Sequence, residues 1–120
     1  MTAPARRILV AEDEAMISMM VEDFLEQLGY DVAGVCMTGV QCESLLDSGA
    51  AVDGALLDCN LGDGPVWEVA RRLQAQGVPF VFASGDGGHG VPADLRGAPV
   101  LGKPYLIDAL DKSLAGLFAG

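Results

Sequence analysis

The sequence predicts an α/β fold, a doubly wound five-stranded parallel sheet in the order 2-1-3-4-5, and three observations carry that reading. Short, continuously apolar runs alternate with longer stretches whose apolar residues recur every three or four positions. Runs of the first kind are strands buried on both faces, which belong to parallel sheets covered by helices on each side. Glycines stand just after the helical stretches, at Gly29, Gly49 and Gly77, where helices end. Five such strand units within 120 residues fit the smaller of the common doubly wound orders.

Arg7–Ala11 (RILVA) reads as the first strand. From residue 15 to 28, Met16, Ile17, Met20, Val21, Phe24, Leu25 and Leu28 share one helical face. Residues 30–35 form the second strand. Thr38 caps a helix running to about Asp47, with Val40, Leu45 and Leu46 apolar. Residues 55–57 are the third strand, flanked by Asp53 and Asp58 and followed by a polar, glycine-rich loop over 58–65. A third helix covers 66–76. Residues 79–83 (PFVFA) and 99–101 are the fourth and fifth strands, and 105–118 is a last helix carrying Leu106, Leu110, Leu114 and Leu117. Ile107 falls off that stripe. Residues 84–98 break the rhythm with five glycines, one proline and no apolar face, so a fourth helix is expected to be short or disordered.

Residues 1–120 read as a single domain, since the length accommodates one proper core and not two. An apolar fraction of 51% argues against disorder. No apolar stretch approaches the roughly 18 residues of a membrane span. The N-terminus lacks a signal-peptide core, which points to the cytoplasm. Seventeen acidic residues against seven basic give a formal charge of −10, so nucleic acid is not an expected partner, and without a membrane-length apolar run neither is a membrane. Cys36, Cys42 and Cys59 are odd in number and show no CxxC spacing, so they read as small apolar fillers and not as a disulfide framework or zinc site.

In sheets of this kind, ligands sit beyond the carboxyl ends of the strands. The first strand delivers Glu12 and Asp13 there, the third Asp58 with Asn60 two residues on, the fourth Ser84, and the fifth Lys103 followed by Pro104. Singly, each has an ordinary reading. Acids at a helix start complement its dipole, an Asp or a Ser at a strand end caps a turn, and a Lys is solvated surface. Together they place three carboxylates, a hydroxyl and an ammonium at one edge. Clustered carboxylates repel one another unless a cation neutralises them, and oxygen ligands suit Mg²⁺, with Mn²⁺ as a substitute. Asp58 then reads as an aspartyl nucleophile toward phosphorus, Lys103 as a point charge for a phosphoryl oxygen, and Ser84 as a hydrogen-bond donor to it.

The fragments ILVAEDE, ALLDCNLGDG, FASG and GKPY, in this order and spacing, resemble the receiver domains of two-component response regulators from Ile8 to Phe118. The resemblance implies a flavodoxin-like, CheY-like fold. It also implies a single-domain response regulator that accepts a phosphoryl group on Asp58 from a histidine kinase or histidine phosphotransfer protein. Glu12 and Asp13 would be the acidic metal pair, joined by Asp58 and the backbone carbonyl of Asn60. Ser84 would be the switch hydroxyl, Lys103 the phosphate-sensing lysine, and Lys103–Pro104 a cis peptide. Such a protein phosphorylates and dephosphorylates itself but turns over no diffusible substrate. With no chain after Phe118 for an output domain, its output is expected through a downstream protein partner, a phosphorelay or a phosphate sink. The fifth strand, last helix and glycine-rich loop form the expected contact surface.

Two departures stand out. Val100 occupies the position where the family commonly has an aromatic switch residue. PFVFASG is similar to the atypical stand-alone group nicknamed FAT GUY, but Ser84 replaces its threonine and Asp86 its aromatic. The segment 85–90 is expected to be mobile without phosphate and to tighten when a phosphate on Asp58 draws in Ser84. Residues 85–90 also satisfy GxGxxG, the dinucleotide fingerprint, but they follow the fourth strand, precede no clear helix and contain Asp86, while His89 among them reads as a solvated loop residue. An aspartyl-nucleophile phosphatase would need a general acid two residues after Asp58, where Asn60 stands. A phosphorylation-independent adaptor would have no use for the acid pair, Asp58, Ser84 and Lys103 together.

Overall fold

A computed structural model describes residues 5–88 and 90–119. Five parallel strands, β1 (Arg7–Ala11), β2 (Asp31–Cys36), β3 (Gly54–Asp58), β4 (Phe80–Ser84) and β5 (Val100–Gly102), form one sheet in the order β2-β1-β3-β4-β5. Helices α1 (Ala15–Gln27), α2 (Gly39–Asp47), α3 (Trp67–Ala75) and α4 (Ile107–Phe118) connect or follow them. A short antiparallel hairpin pairs Asn60–Leu61 with Gly64–Pro65 in the loop after β3. Among the described residues, no helix is long and apolar enough to cross a membrane.

The alternation of side chains along each strand sorts the core into two layers. Leu9, Leu57, Phe80 and Phe82 face one way and pack with Cys42 of α2 and with Val69, Ala70 and Leu73 of α3. Ile8, Val10, Leu56 and Val81 face the other way and pack with Val21 and Leu25 of α1 and with Leu110 and Leu114 of α4. Phe82 anchors the first layer, with ring contacts to Trp67 (5.5 Å between centroids) and Phe80 (5.3 Å). The three cysteines are free thiols buried within that layer, where they pack as small apolar side chains.

Several local expectations change in the folded chain. Strands β3 and β4 each run one residue further than the apolar runs, so Asp58 and Ser84 are the terminal residues of rigid strands. In α1, Met16 is 86% exposed and Met20 is exposed as well, whereas Ser18 is buried and donates its hydroxyl to the carbonyl of Ala15. A hydroxyl that satisfies itself on the preceding turn packs inside at little cost, so the buried stripe shifts. Helix α4 begins at Ile107, two residues later than its pattern suggests. Leu106 therefore precedes the helix in extended backbone and is exposed, and Tyr105 is buried in its stead. Val40 likewise lies outward on α2, and Cys42 takes the core position.

The expected weak fourth helix is a single 3₁₀ turn at Ala93–Leu95. The segment is not without an apolar anchor, however. Val91 and Leu95, four residues apart, are buried against the α2–α3 layer and tie the glycine-rich stretch to the core. Just before them, Gly88 has φ +86°, and a Cβ there would lie 3.0 Å from a methyl of Val100. A side chain is disfavoured at this position by backbone and by space alike.

Candidate functional site

The sheet register brings the chemistry to one edge. β1 lies between β2 and β3, and β3 between β1 and β4, so β1, β3 and β4 end side by side. After β1, the Glu12 amide continues the ladder by donating to the carbonyl of Cys36 (2.9 Å). The Glu12 side chain turns inward and is almost wholly buried. Its Oε2 accepts from the Glu14 amide (3.1 Å) and its Oε1 from Lys103 Nζ (2.9 Å). Asp58 closes β3; its Oδ1 accepts from the Asn60 amide (3.3 Å) and its Oδ2 from the same Lys103 ammonium (3.1 Å). Lys103 arrives from β5, its amide donating to the carbonyl of Ser84 (2.8 Å), and the following peptide bond to Pro104 is cis.

Asp13 completes the group. A carboxylate oxygen from each of Glu12, Asp13 and Asp58 lies within 4.8 Å of the others. Three carboxylates and one ammonium leave two negative charges in a partly buried space. Burial pushes the Glu12 carboxyl up from its ordinary value, and Asp58 nearby adds to this, against the lowering pull of Lys103 and the Glu14 amide. Burial draws the Lys103 ammonium down, but its hydrogen bonds to Glu12 and Asp58 outweigh that and leave it raised. The Cys59 thiol, next to Asp58, is pushed up to about 11, first by burial and then by the Asp58 charge, so it remains a thiol at neutral pH. Such a cluster favours a divalent cation bound through oxygen, and the donor set fits Mg²⁺.

Glu12, Asp13, Asp58 and Lys103 thus meet as the sequence predicts. Ser84 stands at the adjacent strand end, buried, with its hydroxyl turned the other way. It contacts the Asp86 carboxylate, and its oxygen accepts from the amides of Asp86 (3.2 Å) and Gly88 (3.2 Å). Among the described residues it makes no hydrogen bond to Asp58. Asn60 is exposed at the start of the short hairpin, joined to the site through its amide. Asp86 is thus part of the site's immediate surroundings, a connection that the Ser-x-Asp spacing could have signalled. Asp63 also escaped the sequence pattern: it caps α2 from the loop after β3, accepting from the amides of Gly39 (2.7 Å) and Val40 (3.2 Å). The GxGxxG match leads into no helix, only into the 3₁₀ turn, so it offers no helix N-terminus to a pyrophosphate. His89 within it lies outside the described residues.

Beside Lys103 lies an almost wholly apolar cavity of about 350 Å³, lined by Ile17, Met20, Lys103, Pro104 and Tyr105. Exposed Met16, Met19 and Leu106 add apolar surface contributed by α1 and the approach to α4.

No family model matches the sequence, and no curated protein matches it. Solved structures do. SdrG from Sphingomonas melonis Fr1 is 38% identical with a TM-score of 0.83, the match covering 97% of this chain and 98% of that one. A second structure, the BeF3-activated conformation of SdrG from Pseudomonas melonis Fr1, is 40% identical over 98% of each chain, with a TM-score of 0.77. A response regulator receiver protein from Sinorhizobium medicae is 31% identical over 97% of this chain and 96% of that one, with a TM-score of 0.80. The receiver domain of the sensor histidine kinase PA1611 from Pseudomonas aeruginosa, which holds a magnesium ion in its active-site cleft, shares the fold at 23% identity and a TM-score of 0.82, over 97% of this chain and 99% of that one.

Proposed function

The chain belongs to the receiver domains of response regulators in two-component signalling, and from that premise we propose that it is a Mg²⁺-dependent phosphoacceptor whose acceptor is Asp58. The observation that carries the reading is the carboxylate trio of Glu12, Asp13 and Asp58, two of which, Glu12 and Asp58, share the Lys103 ammonium. An Asp58 oxygen attacks the phosphorus of a phosphohistidine; the P–O bond forms as the P–N bond breaks, and the imidazole nitrogen leaves with the electron pair. Mg²⁺ would be held by the oxygens of Glu12, Asp13 and Asp58 and the Asn60 carbonyl, where it supplies positive charge to the transferring phosphoryl oxygens. Lys103 stays bonded to Glu12, which orients it, and gives its second contact to a phosphoryl oxygen once Asp58 carries the phosphoryl group. Water later cleaves the acyl phosphate and restores Asp58, so the protein acts on itself and is not a turnover enzyme.

The donor is a histidine kinase or a histidine phosphotransfer protein, and the output is a contact with a downstream protein, in the cytoplasm. The exposed Met16 and Met19 of α1, and Leu106 before α4, suit a protein partner, because thioethers adapt to irregular apolar surfaces. Incubation with acetyl phosphate and Mg²⁺, followed by intact mass, tests the proposal. One phosphoryl addition is expected, abolished by Asp58→Asn and by chelation. No addition under any donor would leave a phosphorylation-independent adaptor. Sustained release of phosphate from a phosphomonoester would favour a phosphatase instead.

A further inference from the structure

We propose that Asp86 is a positioning residue that holds the Ser84 hydroxyl away from Asp58 and so opposes the phosphorylated state. This rests on the acceptor reading above and deepens it.

Ser84 is buried at the end of β4, and a hydroxyl has one proton to give. Here that hydroxyl is paired with the carboxylate of Asp86, two residues on. The arrangement is closed by the backbone: the amides of Asp86 and Gly88 donate to Ser84 Oγ, and the Gly88 amide also reaches Asp86 Oδ1 (3.3 Å). Ser84, Asp86 and Gly88 therefore hold one another in a single turn.

A phosphoryl group on Asp58 would need a hydrogen-bond donor on its β4 side, as Lys103 provides on the β5 side. Ser84 is the hydroxyl at that place, since Asp58 pairs with Ala83 in the sheet and Ser84 follows directly. To serve the phosphoryl group, Ser84 must turn its proton away from Asp86. The contact given up is charge-assisted, roughly twice as strong as one between neutral groups. The exchange also releases the Gly88 amide, and Gly88 lies so near Val100 at the start of β5 that a Cβ on it would come within 3.0 Å of a Val100 methyl. Asp86 thus competes directly with the phosphoryl oxygens for one proton, and the loop and the edge strand feel the outcome.

The test is a beryllofluoride titration with Mg²⁺, followed by amide NMR at Gly88 and around Asp58. It uses the intact chain, Asp86→Ala, Asp86→Asn, Ser84→Ala and the double variant. Asp86→Ala is expected to tighten beryllofluoride binding about tenfold, the equivalent of one such hydrogen bond. Asp86→Asn keeps an acceptor without the charge and should fall between, about threefold. In the Ser84→Ala background, Asp86→Ala should change binding by less than about twofold, because the proton under competition is gone. Unchanged or weaker binding in both Asp86 variants overturns the proposal. So does equal tightening with and without Ser84, which would mean plain repulsion between Asp86 and the bound anion. If the unaltered protein fails to respond to beryllofluoride, the acceptor reading itself falls, and this inference with it.

Discussion

Replacing Lys103 by Met removes the ammonium from the centre of the site while keeping most of its aliphatic stem. Two hydrogen bonds disappear, to Glu12 Oε1 at 2.9 Å and Asp58 Oδ2 at 3.1 Å. The Glu12 side chain is only 4% exposed, so water replaces little of what it loses. Stranding one partner of a buried ion pair costs about 3–5 kcal/mol. A ceiling applies, because Glu12 can take up a proton instead of remaining charged. Holding a glutamic acid neutral at pH 7, against a reference value near 4.3, costs about 3.7 kcal/mol at roughly 1.36 kcal/mol per unit. The expected loss in chelator-treated buffer is therefore about 3 kcal/mol. Millimolar Mg²⁺ should close about half of that gap or more, since the cation supplies the positive charge that the lysine supplied and binds the variant more tightly. Urea unfolding followed by the fluorescence of Trp67, the chain's one tryptophan, reads both numbers. A variant as stable as the parent without Mg²⁺, or a deficit unmoved by it, would refute the electrostatic account of the site.

Phe82→Ala should cost about 3–5 kcal/mol in the same unfolding assay, because the ring is fully buried and bridges Trp67 and Phe80. Gly88→Ala should cost about 1–2 kcal/mol for the left-handed backbone alone, with Val100→Ala in the same chain relieving only the added methyl contact; thermal unfolding of the single and double variants separates the two. Asp63→Asn should weaken the chain at neutral pH, because the carboxylate accepts the first two amides of α2 and hydrogen bonding to Gly39, then Val40, lowers its pKa. A lowered acid stabilises the fold above its unfolded value of about 3.9 and loses that effect as pH falls through its folded value, so the two proteins should converge in strong acid. Denaturant midpoints measured down the pH scale that stay equally far apart would contradict this.

The strand–helix alternation was legible because parallel strands covered on both faces must be apolar throughout, and runs such as ILVA and FVFA are hard to read otherwise. The site was legible for a related reason. A doubly wound sheet collects strand ends at one edge, so residues just past β1, β3, β4 and β5 must be neighbours once the topology is known. Less of the detail was accessible. Met16 and Leu106 continue helical stripes by spacing, and only the point at which each helix begins and meets the sheet left them exposed. Val91 and Leu95 showed no face within a glycine-rich segment, yet the core had room for both.

By itself the sequence determined which side chains reach the functional edge, because order along the chain and the topology of a parallel sheet leave little freedom there. Tertiary structure alone decided what those side chains do to one another. Lys103 bonds Glu12 across 91 positions, and Asp63 caps α2 from 24 positions away from Gly39. Ser84 turned toward its near neighbour Asp86 and not toward Asp58, one strand over. Hydrogen bonds depend on direction at the scale of an ångström, and periodicity along a chain carries no information about that.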